Sequence, residues 1–329
     1  GPYVQGNQFD LGNTSYYLLQ VVALLARRAP SCKRSEVLAL EAKDVNEWWE
    51  RAVKGMADAL EILRDDCGVL IPKWLPYNTM VIPIAAVLAS TTPVAHEVGL
   101  SRLRLARWFW CAALGQAYES AANSQTVTDL NELKAWLGGG EMPQVVSNFS
   151  FDPRMLRETT ARQRAVYRAV MSLLLRNGPR DFYKFAKITG DLIAENNVDD
   201  HHVFPRGYLE GKVPSRQRDS ILNRTLIDRR TNIRISNHAP SAYMKQIRES
   251  YEADPELGVG KFEELLESHL LPVGLDSPFW SDNFEAFLDW RQETLWQEIQ
   301  KVTGITASAD HFVADYVHDD EQDWLHDEE

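Results

Sequence analysis

Between Asn196 and Pro240 the helical patterning that runs through most of this chain gives way to two short extended segments set around a loop rich in Gly and Pro, which narrows the folds open to it. Asn196 and Asn197 turn the chain into a strand over 198–204, and Pro205, which cannot continue a ladder, closes it. The loop 206–218 carries Gly207, Gly211 and Pro214, a second short element lies near 221–226, and helix resumes around Thr231 or Pro240. The order strand, loop, strand, helix sets the expected fold class: mainly α, with one small ββα unit.

That unit collects side chains suited to hydrolysing a phosphodiester. His201 and His202 are adjacent, His202 lies three positions before Pro205, and Asn223 and Asn232 follow at a nine-residue separation. The reaction needs a base that takes a proton from water near neutral pH, and imidazole matches that task best. It also needs a cation against the oxygens on which negative charge builds. A hard ion such as Mg²⁺ keeps several waters, so one or two protein ligands are enough. His202 is the candidate base, and His201 with the side-chain oxygen of Asn232 are candidate ligands for Mg²⁺ or Mn²⁺. In a regular strand neighbouring side chains face opposite ways. For both rings to serve one ion's surroundings, the strand must end or bulge at the pair, which Pro205 favours. Without Asn223, Asn232 and Pro205, chance or a structural zinc pair would be the better explanation of the two histidines.

The register of these residues resembles the HNH, or His-Me finger, nuclease motif. There a [Asp/His]-His-x-x-Pro turn ends one strand, and a central Asn precedes an Asn or His on the following helix by nine residues. The resemblance puts His202 at the general base and His201 at the first metal ligand. It puts Asn223 at the residue that pins the loop and orients the base, and Asn232 at the last metal ligand, where His is commoner. More narrowly, His201-His202-Val203-Phe204-Pro205, then Thr231-Asn232, then Ser236, Asn237, Pro240 and Tyr243 are similar to the C-terminal nuclease domain of the GmrSD and SspE group of modification-dependent restriction proteins. This resemblance implies a ββα-metal core and a DNA endonuclease that nicks or cuts foreign DNA, modified phage DNA included, in bacterial defence. The same chemistry on RNA, or a non-catalytic DNA-binding module, are the alternatives. In that group a nucleotide-dependent sensor domain usually precedes the nuclease, and its Asp-Gly-Gln-Gln-Arg motif does not occur in this sequence. Gly1-Pro2 has the form of a protease-cleavage scar, so the natural chain is expected to extend further toward its N-terminus.

A net charge of −12 argues against a nucleic-acid partner, since phosphate contacts supply much of such affinity. Its distribution reverses the argument. From Arg206 to Arg248 ten basic residues face only Glu210, Asp219 and Asp228, and from Arg154 to Arg180 seven arginines face Glu158 alone. The motif should therefore carry a positive field. Arg206, Arg229, Arg230 and Arg234 are candidate phosphate clamps, and His238 either approaches the phosphate or caps a helix. The acidity lies chiefly in the tail 310–329, whose His311, His318 and His326 sit among carboxylates; a solvated tail is the default, shielding of the basic site the sharper alternative.

Cys32, Cys67 and Cys111 are widely spaced and odd in number, which suggests a reducing cytoplasm with neither a disulfide frame nor a zinc knuckle. The apolar run 16–26 contains Gln20, is too short to span a bilayer and has no basic segment before it, so neither a membrane span nor a signal peptide is expected. Helices are expected over 16–28, within 35–64, over 101–120, 153–177, 180–195, 260–270 and 282–302. The state of 79–89, interrupted by Pro83, is left open by periodicity. Arg102, Arg104 and Arg107 form a stripe that either faces solvent or touches DNA. Trp48, Trp49, Trp280, Trp290 and Trp296 are expected in the core, and His269 is expected to be structural. Gly138-Gly139-Gly140 lacks the Lys and Ser/Thr of a phosphate-binding loop and reads as a linker. It divides a helical domain, 1–145, from a nuclease domain, 146–329, whose core spans about 196–248.

Overall fold

The two strands expected from the sequence form a single antiparallel sheet, β1 (Val198–His202) with β2 (Arg224–Asp228), and the rest of the ordered framework is helical. The structure is a computed structural model that describes residues 13–91 and 98–305. Residues 1–12 and the acidic tail with its three histidines lie outside the described residues. Among the described residues no helix is long and apolar enough to cross a membrane.

The N-terminal part packs α1 (Thr14–Ala26), α2 (Ala42–Asp65) and α3 (Val81–Ser90) against one another, with α4 (Val98–Leu114) and α5 (Ala122–Leu137) alongside. A capping box starts α2: the Glu41 side chain accepts from the backbone of Asp44, and the Asp44 carboxylate accepts from the backbone N–H of Glu41 at 3.0 Å. The stretch 79–89 is helical because Pro83 falls in the first turn of α3, where a missing N–H removes no helical bond. Nearly every α3 residue is buried, so the helix has no polar face for periodicity to detect. Its closest neighbour is α2 at Gly55, where a Cβ would stand 2.4 Å from the Ala85 carbonyl oxygen and 2.9 Å from the Ala89 Cβ.

The arginine stripe is partly buried and engaged with neighbouring helices. Arg102 pairs with Glu61 and Asp66, each at 2.9 Å. Arg104 donates to the Trp136 carbonyl at 2.9 Å and covers its ring, while Arg107, buried, donates to the Thr303 carbonyl at 2.8 Å. The stripe joins α4 to α2, to α5 and to the last helix, α10 below.

Past Gly138–Gly140 come α6 (Arg164–Arg176), the sheet, α7 (Arg229–Ile235), α8 (Pro240–Ala253), α9 (Gly258–Ser268) and α10 (Phe284–Thr303). Packing crosses the glycines, with α4 against both α6 and α10. Two expected helices are shorter than their apolar pattern. The first is a single turn, Met155–Glu158, that breaks before α6, because the Thr159 hydroxyl turns back to the Met155 carbonyl at 2.8 Å and the Thr159 carbonyl is taken by the N–H of Ile221 at 2.8 Å. The second is only Gly190–Ala194: upstream, the buried Asp181 carboxylate accepts from the backbone of Tyr183 and Lys184 and from Asp228 N–H and Thr231 Oγ1, clamping a loop to the junction of β2 and α7.

The five tryptophans expected in the core sit at its margin, whereas Trp108 and Trp110 are fully buried. Trp49 is 36% exposed, and Trp48, Trp280, Trp290 and Trp296 are half-buried; Phe279, Phe287, Leu288, Leu295 and Ile299 fill the interior instead. All three cysteines are free and buried. His269 is structural as expected: it is fully buried, with the Thr225 hydroxyl 2.6 Å from Nδ1 and the Arg180 carbonyl 2.5 Å from Nε2.

Substituting Gly55→Ala forces a methyl against the α3 backbone and is expected to lower unfolding free energy by about 1–3 kcal/mol in urea titration. Gly99→Ala, where a Cβ meets nothing within 4 Å, should be neutral or slightly stabilising in the same assay.

Candidate functional site

The ladder runs unbroken through the histidine pair, with His201 opposite Thr225 and His202 opposite Arg224. Of the two alternatives the sequence left open, the strand ends with the pair and does not bulge within it. Val203 N–H donates to the Asn223 carbonyl at 3.0 Å, so pairing is carried past His202 without an extra residue. The two imidazoles therefore lie on opposite faces of one strand end.

On the first face His201 is 2% exposed, its ring set edge-on to those of Phe182 and Tyr243. Its Nδ1 lies 2.7 Å from Asn232 Oδ1, and Asn232 Nδ2 donates to Asp199 Oδ2 at 2.9 Å. Asp199, two residues before His201, shares its face and turns the amide so that the oxygen looks at the ring. Burial pushes the His201 pKa down to about 3, which keeps the imidazole neutral, as a metal ligand must be. Its Nε2 is buried without a hydrogen-bond partner.

This pair fits a small hard cation. The contact is a hydrogen bond from Nδ1–H to the amide oxygen; a cation held by the pair would take that proton's place, leaving imidazole nitrogen and amide oxygen as its donors. Among the described residues no group of three or more His, Cys, Asp or Glu side chains is placed to hold a metal. One imidazole and one amide make a two-ligand set, the kind that leaves most of the ion's coordination to water and substrate oxygens.

On the second face His202 Nε2 lies 2.8 Å from Asp219 Oδ1. The Arg218 guanidinium grips the Asp219 carboxylate at 3.0 and 2.9 Å and holds its pKa well below the usual range, and Arg224 adds a contact at 3.7 Å. Burial, helped by Arg224, pushes the His202 pKa below its ordinary value against the opposing pull of Asp219. Asp200, two residues before His202, binds the Tyr167 hydroxyl and Arg224.

Asn223 joins the two segments that bear these groups. Fully buried, its Oδ1 accepts from Phe204 N–H at 2.7 Å, and its Nδ2 donates to the carbonyls of Phe204 and Arg218 at 3.1 and 3.0 Å. Tyr243 donates to the Val203 carbonyl at 2.7 Å, and Asn237 accepts from Gly207 N–H at 3.2 Å, so both brace the loop that follows the histidines.

The positive field is smaller than the charge count implied. Arg218 and Arg224 serve Asp219 and Asp200, Arg216 pairs with Glu158, and Arg157 with Glu285 and Asp289. Arg234 is exposed but lies over the Tyr183 ring, 3.7 Å from its centroid. Arg206, Arg229 and Arg230 are exposed, and among the described residues no carboxylate pairs with their guanidinium groups. His238 Nδ1 lies 2.8 Å from the Ile235 carbonyl at the end of α7, the capping alternative. Asp199, Asp200, Asp219 and Tyr167 were not singled out as site residues. Strand alternation is a signal that could have found the first two, whereas nothing local marks Asp219 or Tyr167.

No protein-family model matches the chain. It is similar to the uncharacterized protein MJ0686 of Methanocaldococcus jannaschii, 26% identical over 317 residues, a match covering 88% of this chain and 52% of that protein. The chain thus spans about half the length of the curated relative it matches.

Asn223→Ala leaves two buried backbone groups of Phe204 and the part-buried Arg218 carbonyl without this partner. It is expected to cost about 2–4 kcal/mol of stability by urea titration, a larger loss than Asn237→Ala, whose bond is exposed.

Proposed function

We propose that this protein is a Mg²⁺- or Mn²⁺-dependent DNA endonuclease of the His-Me finger type. The observation that carries the reading is the strand-end histidine pair with Asn232 reaching back from α7 to His201 and Asn223 locking the loop behind them. His201 and Asn232 hold the cation, with Asp199 setting the amide. When bound, the ion supplies charge stabilisation to the non-bridging and leaving oxygens of the phosphodiester.

Asp219 accepts a hydrogen bond from Nε2–H of His202, which fixes the tautomer and leaves Nδ1 with the lone pair. Nδ1 then takes a proton from the attacking water, and the charge that results is balanced by Asp219. In this reading the substrate lies across the strand end, with the phosphate oxygens toward His201 and Asn232 and the water toward His202. Arg206, Arg229 and Arg230 offer guanidinium groups to flanking phosphates. A role in restricting foreign DNA rests on the family resemblance of residues 199–243.

Purified protein incubated with plasmid DNA should convert it to nicked or linear forms with Mg²⁺ or Mn²⁺ and leave it intact with EDTA. His202→Ala should slow cleavage by about 10²- to 10⁴-fold at an unchanged melting temperature. Cleavage of RNA alone would redirect the reading to RNA, and a His202→Ala protein cutting at the wild-type rate would end it.

A further inference from the structure

The break that separates Met155–Glu158 from α6 builds one wall of a cleft beside the second histidine. The cleft, about 380 Å³, is lined by Thr160, Arg162, Gln163, Ser215, Arg216 and Asp219, a volume at the small end of the range for ligand pockets. We propose that it is a phosphate subsite, holding the nucleotide of the substrate strand next to the bond attacked at His202. The inference rests on the nuclease reading above and adds where the strand runs.

Both walls are fixed to each other. Ile221 N–H donates to the Thr159 carbonyl at 2.8 Å and Ser220 Oγ to the Leu156 carbonyl at 3.0 Å, so the turn is bolted to the segment that carries Asp219. Within the turn, Thr160 N–H and Oγ1 donate to Gln163 Oε1 at 2.9 and 3.0 Å. That leaves the Gln163 amide nitrogen, the Ser215 hydroxyl and the exposed Arg162 guanidinium without a partner among the described residues. Arg216 pairs with Glu158, but both are more than half exposed, and such a pair exchanges readily for a phosphate. The one carboxylate in the lining, Asp219, is already matched by Arg218 and Arg224. The uncommitted groups can all donate, one of them from a cation, and Arg216 adds a second guanidinium held only by its exposed pair with Glu158, the set that a phosphate accepts from. Because Asp219 also binds His202, an anion seated here is one residue removed from the base.

The test uses the His202→Ala protein and a fluorescein-labelled DNA oligonucleotide, with binding read by anisotropy over a range of salt. Arg162→Ala and Arg216→Ala should each weaken binding several-fold and reduce the slope of log Kd against log salt by about 1. In the active protein they should raise KM more than they lower kcat. Arg164→Ala, exposed on the first turn of α6 outside the lining, should change neither. Unchanged affinity and slope in the Arg162→Ala protein, with the wild type still cutting DNA, would overturn the subsite and spare the nuclease reading. Arg162-dependent binding by a wild type that cleaves no nucleic acid would overturn the nuclease reading and spare the subsite.

Discussion

A single buried amide holds the site together. Asn223 bonds both backbone polar groups of Phe204 and the carbonyl of Arg218, so one side chain fixes the exit of β1 and the approach to Asp219 at once. Leaving the two buried groups of Phe204 unpaired costs more than any surface contact in the region returns. The positions of His201 and His202 at the strand end, and of Asp219 against His202, follow from that constraint. Tyr243 and Asn237 extend it to the rest of the loop.

The regular ladder has a consequence for how the histidines divide their work. Had the strand bulged, both rings would share one polar pocket. In register, each has its own surroundings: His201 an aromatic, fully buried niche with an amide in front of it, His202 a half-buried position against a carboxylate flanked by two guanidinium groups. Both environments keep imidazole neutral, the first by desolvation and the second by desolvation aided by Arg224. Neutral rings are what a ligand and a base both require, so two different physical routes lead to one protonation state.

Much of this was legible in the sequence because it depends on local chemistry. Proline and paired asparagines bounded β1, and the nine-residue interval placed Asn232 where α7 brings it to His201. Helices with one apolar face, such as α9 and α10, were found at nearly their observed ends. What escaped depends on distant partners. The helix expected over 153–177 breaks because Thr159 serves Ile221, and that over 180–195 fails because Asp181 serves Asp228 and Thr231. Arginines counted as free field turn out to be bound to Glu158, Glu285, Asp289 and Asp219, none of them near in the chain except Asp219 to Arg218. Alternation along β1 was enough to place Asp199 with His201 and Asp200 with His202, an inference the sequence reading did not draw. Asp219 had no such marker, since its role exists only once the loop is closed.

The most direct test of the central claim is an anomalous difference map from crystals grown with Mn²⁺. A peak in contact with His201 Nδ1 and Asn232 Oδ1, lost in Asn232→Ala crystals, is the expected result. A peak confined to the Asp200–Asp219 face, or none at saturating Mn²⁺, would contradict the assignment of His201 and Asn232 as the cation's ligands and with it the proposed chemistry.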